Sequence, residues 1–396
     1  MNSRLRVIAM SLLLPVLLAG CWSSKEIEDL ALYAGAALDV GMEDETERVL
    51  EAKAAKYPRK KKLTATVQIV PVRTVGGKSS KQGGPPHMPY NNISGTGDSI
   101  LEIFRQFSIR LDQPIIGHHL KVIVVSAELL KEQPIENVMD FLLRDNDIRP
   151  STMVFVSQGP AKDTLVSEAN NSVPAFHIMG MIRNRSRTSK VMAPVTLNNI
   201  DGLTYAKKSF ALQNLVTANG EVEFSGAGII KGSSGHWVGT LNQMDAEALT
   251  WLRNEGSAGV IKAEVRDEPL TYEIKEMKSK ISSKVKGDDI EFDVSIKADG
   301  RIIEIWDSAA GAASPFTTEE TTAVVQKQIE KIMNAFANKL QKKYQADVAG
   351  FGDRFAIEHP ALWKKVKDNW DEVFSRSKIN FTYDVKISEY GSFVEE

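Results

Sequence analysis

The chain has 396 residues, 42% of them hydrophobic and 25% charged, with 49 Lys+Arg against 51 Asp+Glu. These values exclude wholesale disorder, a collagen-like repeat and a polytopic membrane protein, and a formal net charge of −2 argues against a dedicated nucleic-acid binder. A single cysteine rules out an internal disulfide framework and a cysteine-rich zinc site.

That cysteine sits in a telling place. Arg4 and Arg6 form a positive n-region, Val7 to Leu18 an apolar run, and small residues follow at Ala19 and Gly20. The run is shorter than the roughly 20 residues needed to span a bilayer, so residues 1–20 read as a secretory signal peptide. Leu18-Ala19-Gly20-Cys21 resembles the lipobox of bacterial lipoproteins. The resemblance implies cleavage before Cys21 and a diacylglyceryl group on its thiol. Two acyl chains hold a protein stably at a membrane, where one is marginal.

Residues 26–40 are apolar enough to enter a core at once. Met42 to Lys62 is charge-rich and ends in Arg59-Lys60-Lys61-Lys62, which reads as a solvated loop between strands rather than a contact with anionic headgroups. Leu63, Ala65, Val67 and Ile69 alternate with polar residues as in a half-buried strand, and 76–89 reads as a mobile loop. Asp98 or Ser99 can cap a helix with Ile100, Ile103, Phe104 and Phe107 on one face, Ser99 and Glu102 having capping-box spacing. Val122–Val125 and Thr152–Val156 predict strands, and Pro134–Leu143 a helix. Alternating strands and helices predict an N-terminal α/β domain over 21–160. Residues 161–221 are weakly patterned, with a helix near 161–170 and breaks at Pro174 and Pro194; a smaller middle region is expected there.

A C-terminal α+β domain is expected over 222–396. Val222–Ile230 and Trp237–Thr240 predict a hairpin, and Asp245–Asn254 a short helix stopped by Gly256. Leu270, Tyr272 and Ile274 open a long strand; Ile290, Phe292, Val294 and Ile296 form another, which Asp299-Gly300 would turn back on itself. Thr317 and Glu320 form a capping box before a long helix carrying Val325, Ile329, Ile332, Phe336 and Leu340. After a turn at Gly350 and Gly352, one further helix is expected from Pro360, with Trp363, Val366, Trp370, Val373 and Phe374 as its apolar face. Ile379 to Ile387 alternate as a last strand. The fold expected is multidomain α+β with three domains, the last an antiparallel sheet packed by a long amphipathic helix.

Catalytic patterns are sought and not assembled. His118-His119 on a strand would point to opposite faces, so the pair cannot hold one ion without a turn. Gly76-Gly77-Lys78-Ser79 lacks the first glycine of a P-loop, because Val72 stands there; Gly350-Phe351-Gly352 lacks the third glycine of a dinucleotide motif, because Phe355 does. Ser283 and Lys286 have S-x-x-K spacing of a kind chance supplies. No catalytic residue, cofactor or metal ligand is nominated, and the chain reads as a non-enzyme.

Several blocks resemble the Ger(x)C family, the C-subunit lipoproteins of spore germinant receptors. They are Cys21-Trp22 with Glu26-Ile27-Glu28-Asp29-Leu30-Ala31, His119 to Ser126, Asp140 to Asp145 with Arg149, Ser225 to Lys231, and Gly239-Thr240-Leu241 with Trp251-Leu252. The longest runs from Asp347-Val348-Ala349-Gly350-Phe351-Gly352 through Pro360, Trp363, Trp370 and Phe374 to Val385-Lys386-Ile387 and Gly391. The chain departs at Ser23-Ser24, where acidic and basic residues are usual, and in longer 42–62 and 76–89 stretches. The resemblance implies tethering through lipidated Cys21 to the outer face of the spore inner membrane. It also implies assembly with A-type and B-type integral membrane germinant receptor subunits. The role expected for the chain there is to bind and position rather than to catalyse. The competing class is an extracytoplasmic solute-binding lipoprotein of a transporter, which expects two similar lobes.

Overall fold

The structure is a computed structural model and describes residues 30–53, 60–71, 89–167, 172–256, 258–287, 289–305 and 316–390. Cys21 and Gly76-Gly77-Lys78-Ser79 lie outside the described residues. Two mixed sheets organise the chain. The first holds β1 (Ala31–Val40), β2 (Leu63–Val70), β3 (Asn91–Gly97), β4 (Ile115–Ile116), β5 (Val122–Ser126), β6 (Met153–Ser157), β7 (Val195–Thr196), β8 (Phe210–Ala218), β9 (Glu221–Ile230) and β10 (Trp237–Leu241). Its order is β10-β9-β8-β6-β5-β1-β2-β3, with β4 beside β1 and β7 beside β6.

β1, β5, β6 and β8 are mutually parallel neighbours at the centre. Parallel strands need both faces covered, and the β-branched run of β5 is buried at every position. Helices Ile100–Phe107, Ile135–Arg144 and Leu197–Tyr205 cover one face. The turn Ala161–Leu165 and helix Pro174–Met181 cover the other. Buried Gln68 ties that cover to β2, donating to the Leu165 carbonyl at 2.7 Å and accepting the Ala175 N–H at 3.0 Å. Among its described residues the stretch 161–221 holds two 3-10 turns, Ala161–Leu165 and Ile182–Ser186, two helices and strands β7 and β8 of the first sheet. Of the helix expected near 161–170, residues 161–167 are described, and they hold only a 3-10 turn, Ala161–Leu165.

The charge-rich stretch after β1 is not the loop expected. Glu45–Lys53 is a helix, and its Glu47 is buried against the outer strand β3. The Glu47 carboxylate accepts the Thr96 N–H and hydroxyl, both at 2.8 Å, while Arg110 donates to the Ser94 carbonyl at 2.7 Å. An exposed strand edge invites pairing with another chain. Here two side chains block it.

The second sheet runs β11 (Gly259–Val265), β12 (Glu268–Lys286), β13 (Asp289–Ile305), β14 (Lys378–Tyr390). The expected wholly antiparallel sheet is corrected at its last strand, because β14 lies parallel to β13. A parallel return needs a long crossover, and the helices between 318 and 376 are that crossover. Helix Thr318–Asn338 carries the capping box read from Thr317 and Glu320 and packs Val325, Ile329, Met333 and Phe336 into the core that holds Phe292, Val294 and Ile296. The opposite face is polar, crossed by ion pairs such as Lys286–Glu291 at 2.8 Å and Arg301–Glu273 at 2.7 Å. No described helix is long and apolar enough to cross a membrane.

Asp299-Gly300 is not a turn. β13 continues through it beside a register shift in β12 between Ile274 and Glu276. The Tyr272 ring crosses over Gly300, and its hydroxyl donates to the Lys386 carbonyl at 2.9 Å. A Cβ on Gly300 would come within 2.2 Å of the Glu273 carbonyl oxygen and 2.5 Å of the ring. Glycine is there for close approach.

Helix Gln243–Leu252 lies between the sheets with its residues from Asp245 to Leu252 buried. Glu247 is 5% exposed, and its Oε1 and the Trp251 indole N–H have no hydrogen-bond partner. Burial pushes the Glu247 carboxyl up to about 7, with Lys190 opposing. A carboxyl raised in the folded state binds its proton more tightly there. Stability is then greatest below its unfolded value and declines as pH rises towards about 7.

Two outcomes are expected. Glu247→Gln raises the melting temperature at pH 8, where the charged form costs about 3 kcal/mol, and leaves it unchanged near pH 4.5; a pH-independent difference between variant and parent contradicts this. Gly300→Ala overfills the crossing under Tyr272 and costs about 1–3 kcal/mol in denaturant unfolding, and an unchanged midpoint would remove the close-approach argument.

Candidate functional site

In open α/β sheets ligands commonly bind outside the carboxyl ends of parallel strands. That edge is filled here. Asp39, at the end of β1, accepts the N–H groups of Ala161 at 2.6 Å and Lys162 at 3.0 Å, which seats the Ala161–Leu165 turn over it.

The open space lies at the other edge, as a cleft of about 1330 Å³ between the two sheets. Pro194 to Ala211 and Lys231 line one wall; Arg253 to Glu255, Ser279 to Ile281 and segments between Gln345 and Glu372 line the other. Its floor is built around Asp347. The chain leaves helix Thr318–Asn338 through a π-turn, Lys339–Tyr344, and Gln345 takes a left-handed conformation. Asp347 Oδ1 then accepts the N–H groups of Ala349, Gly350 and Phe351 at 3.0–3.2 Å, and Oδ2 accepts that of Gly352 at 2.6 Å. Oδ2 also accepts the Trp370 indole N–H at 2.8 Å. These groups include the orphan donors that open helix Phe351–Glu358, so the carboxylate caps it from inside. Burial raises the Asp347 carboxyl above its ordinary range, against the pull of its N–H donors.

Asp371 joins this floor to the first sheet. Its Oδ1 accepts the Asp347 N–H at 3.0 Å, and its Oδ2 accepts the Ser209 hydroxyl at 2.6 Å and lies 3.4 Å from Lys231 Nζ. Ser209 Oγ accepts the Gly232 N–H at 2.8 Å, Lys231 donates to the Gln345 carbonyl, and Lys208 pairs with Asp353. Beside them the Tyr344 hydroxyl donates to the Thr240 carbonyl at 2.7 Å, with its ring where a Cβ on Gly239 would stand. The sequence marks Lys231 and the 347–374 block that holds Asp371 without showing that the two meet, and it does not mark Ser209. Each of the three has a partner more than a hundred residues away, and no local pattern encodes that.

The expected single helix from Pro360 is corrected to three pieces: Phe351–Glu358 precedes it, and a 3-10 turn at Lys367–Asn369 separates Pro360–Val366 from Trp370–Arg376. Pro360 opens its helix because the missing N–H is an orphan at that position anyway. Trp370 and Phe374 are buried, while Trp363, Val366 and Val373 are half-buried. Trp370 stacks on Phe355 at 5.4 Å and meets Trp363 edge-on at 5.1 Å; Phe351 packs against Phe374 at 5.2 Å and Phe292 at 5.0 Å.

The remaining candidates are spent elsewhere. His118 and His119 sit on a 3-10 turn, Gly117–His119, rather than a strand; His118 lies 3.7 Å from Asp147 at the surface. Partial burial and the cations Lys121 and Arg149 lower the His119 imidazole. Among the described residues no group of three or more His, Cys, Asp or Glu is placed to hold a metal ion. Ser283 donates through both N–H and hydroxyl to Glu358, and Lys286 pairs with Glu291.

Two family descriptions match this chain: spore germination protein N-terminal domain over residues 23–216, and spore germination B3/GerAC like, C-terminal, over 225–391. Spore germination protein YndF of Bacillus subtilis (strain 168) is 39% identical over 388 residues, covering 96% of this chain and 95% of that protein. Spore germination protein B3 of the same organism is 27% identical over 378 residues, covering 95% of each. The crystal structure of the GerBC protein superposes with a TM-score of 0.60 at 24% identity, covering 84% of this chain and 96% of that one, so the fold is shared.

Trp370→Ala removes a buried aromatic and one of the donors to Asp347. A loss of about 3–5 kcal/mol is expected in denaturant unfolding of the protein without its signal peptide and without any partner. Unfolding like the parent would mean that the ring is not part of the core.

Proposed function

This chain belongs to the Ger(x)C family of spore germination proteins, and from that premise we propose that it is the lipid-anchored C subunit of a receptor for nutrient germinants. A role in spore germination follows from the family itself. The finer reading has three parts. Cys21 carries the diacylglyceryl anchor, so the body sits on the outer face of the spore inner membrane. Its partners are the A-type and B-type integral membrane subunits. Its contribution is to bind and position them, because confinement to the membrane plane raises effective concentration without any new contact.

The observation that carries the non-catalytic part is how the strongest groups of the cleft are used. Asp347 holds N–H donors from its own helix and from Trp370, and Asp371 holds Ser209, Lys231 and the Asp347 N–H. A general acid or nucleophile needs an uncommitted atom within reach of substrate. Among the described residues the lobes flanking the cleft are unlike, a ten-stranded and a four-stranded sheet, which counts against a two-lobed solute carrier.

Cys21→Ala in the full-length protein is expected to abolish lipid labelling, move the protein from the membrane to the soluble fraction of spore extracts and slow nutrient-triggered germination. Unchanged membrane retention would remove the lipid-anchor reading. Co-purification of the parent with transporter components instead of receptor subunits would remove the receptor reading.

A further inference from the structure

Strand direction decides which side of the molecule the cleft opens on. β1, β5, β6 and β8 are parallel, so their amino ends share one edge of the sheet. Ala31 opens β1 at that edge, where its N–H bonds the Pro114 carbonyl. The first wall of the cleft belongs to the same edge. Val195 pairs with Val154 near the start of β6, Lys207 to Ser209 lead into β8, and Lys231 follows Ile230, the partner of Phe210. β8 is three strands from β1 in the sheet order, about 14 Å at about 4.8 Å per strand. Ten Cα–Cα steps separate Cys21 from Ala31 and span at most about 36 Å. A chain anchored at Cys21 keeps the start of β1 within about 36 Å of the bilayer, on the edge where the cleft opens.

From this placement we propose that the cleft receives an acidic polypeptide segment of a membrane-embedded partner as that segment leaves the bilayer. The proposal rests on the anchored, complex-forming role inferred above. Size favours polypeptide. A drug-sized ligand fills about 300–1,000 Å³, and this cleft is larger and has two walls. Charge favours acidity. Lys208 is paired with Asp353, Lys231 with Asp371, Arg354 with Glu358 and Glu372 with Arg376. Lys207 on one wall and Lys280 and Lys367 on the other are exposed and make no ion pair among the described residues, against a single such carboxylate at Asp368. Cations on facing walls suit an inserted segment, whereas a flat lipid surface would meet only the rim. Half-buried Trp363 adds an aromatic surface inside.

The test uses full-length protein in spore inner membranes. A photo-crosslinking residue replaces Lys280 or Lys367, with Lys61, at the opposite end of β1 beside Val40, as the control. The expected result is one integral membrane product from the two cleft positions and none from the control, attached within an extracytoplasmic segment rich in Asp and Glu. Lys207→Glu, Lys280→Glu and Lys367→Glu together are expected to reduce recovery of that protein at least tenfold at low salt, with an unchanged melting temperature. Crosslinks to lipid alone, or undiminished recovery with the triple variant, would overturn the proposal while leaving the receptor role intact. Failure of the parent protein to recover any membrane subunit would instead sink the receptor role, and this proposal with it.

Discussion

Asp347 is buried, and its two oxygens collect four main-chain N–H groups from Ala349 to Gly352 together with the Trp370 indole N–H. An unpaired carboxylate in that position would be costly, and the bonds made to it order two pieces of chain, the turn from Ala349 to Gly352 and the start of the helix at Trp370. The loop after Gln345 is curled, the helix Phe351–Glu358 is capped, and Trp370 is drawn over Phe355. Asp371, the next residue after that tryptophan, is thereby aimed at Ser209 and Lys231. This chain of contacts ties the second unit to the first sheet at the floor of the cleft.

Apolar packing does the complementary work deeper in. Helix Gln243–Leu252 contributes to a core that continues from Ala211, Ala227 and Ile229 of the first sheet to Tyr272, Phe292 and Phe336 of the second unit. A shared core of this kind resists relative motion of the two sheets, because close-packed interiors offer few intermediate arrangements. Helix Gln243–Leu252 also brings in Glu247, a carboxyl with an unpartnered oxygen whose charge the surroundings disfavour. Polar groups elsewhere serve to limit contact. Glu47 and Arg110 occupy the outer edge of β3, and ion pairs cover the open face of the second sheet. The cleft keeps unpaired cations instead, at the edge where the chain enters from Cys21.

Local physics made much of this legible in advance. The N-cap at Ser99, the capping box at Thr317, the β-branched run of β5 and the alternation of β13 depend on neighbours a few residues away, and their elements appear where expected. Failures came where a local signal was overruled. Glu45–Lys53 lacks an apolar stripe and read as loop, yet it is held in place by Glu47 binding Thr96. Asp299-Gly300 has the composition of a turn, but the Tyr272 ring needed the space that a glycine leaves. The aromatic stripe from Trp363 to Phe374 has helical spacing, yet Val366 ends one helix and Trp370 starts another.

The sequence by itself determined the α+β character, the family, and most strands and helices, because periodicity, capping and turn chemistry act over short separations. It also marked Asp347 to Phe374 as a block of consequence without saying what the block does. Only the tertiary structure decided that β14 returns parallel to β13, that Asp371 bridges Asp347 to Ser209 and Lys231, and that the cleft opens on the edge where β1 begins. Those features join residues such as Ser209 and Asp371 across 162 positions. Contacts of that separation follow from how whole sheets pack, which no window of neighbouring residues contains.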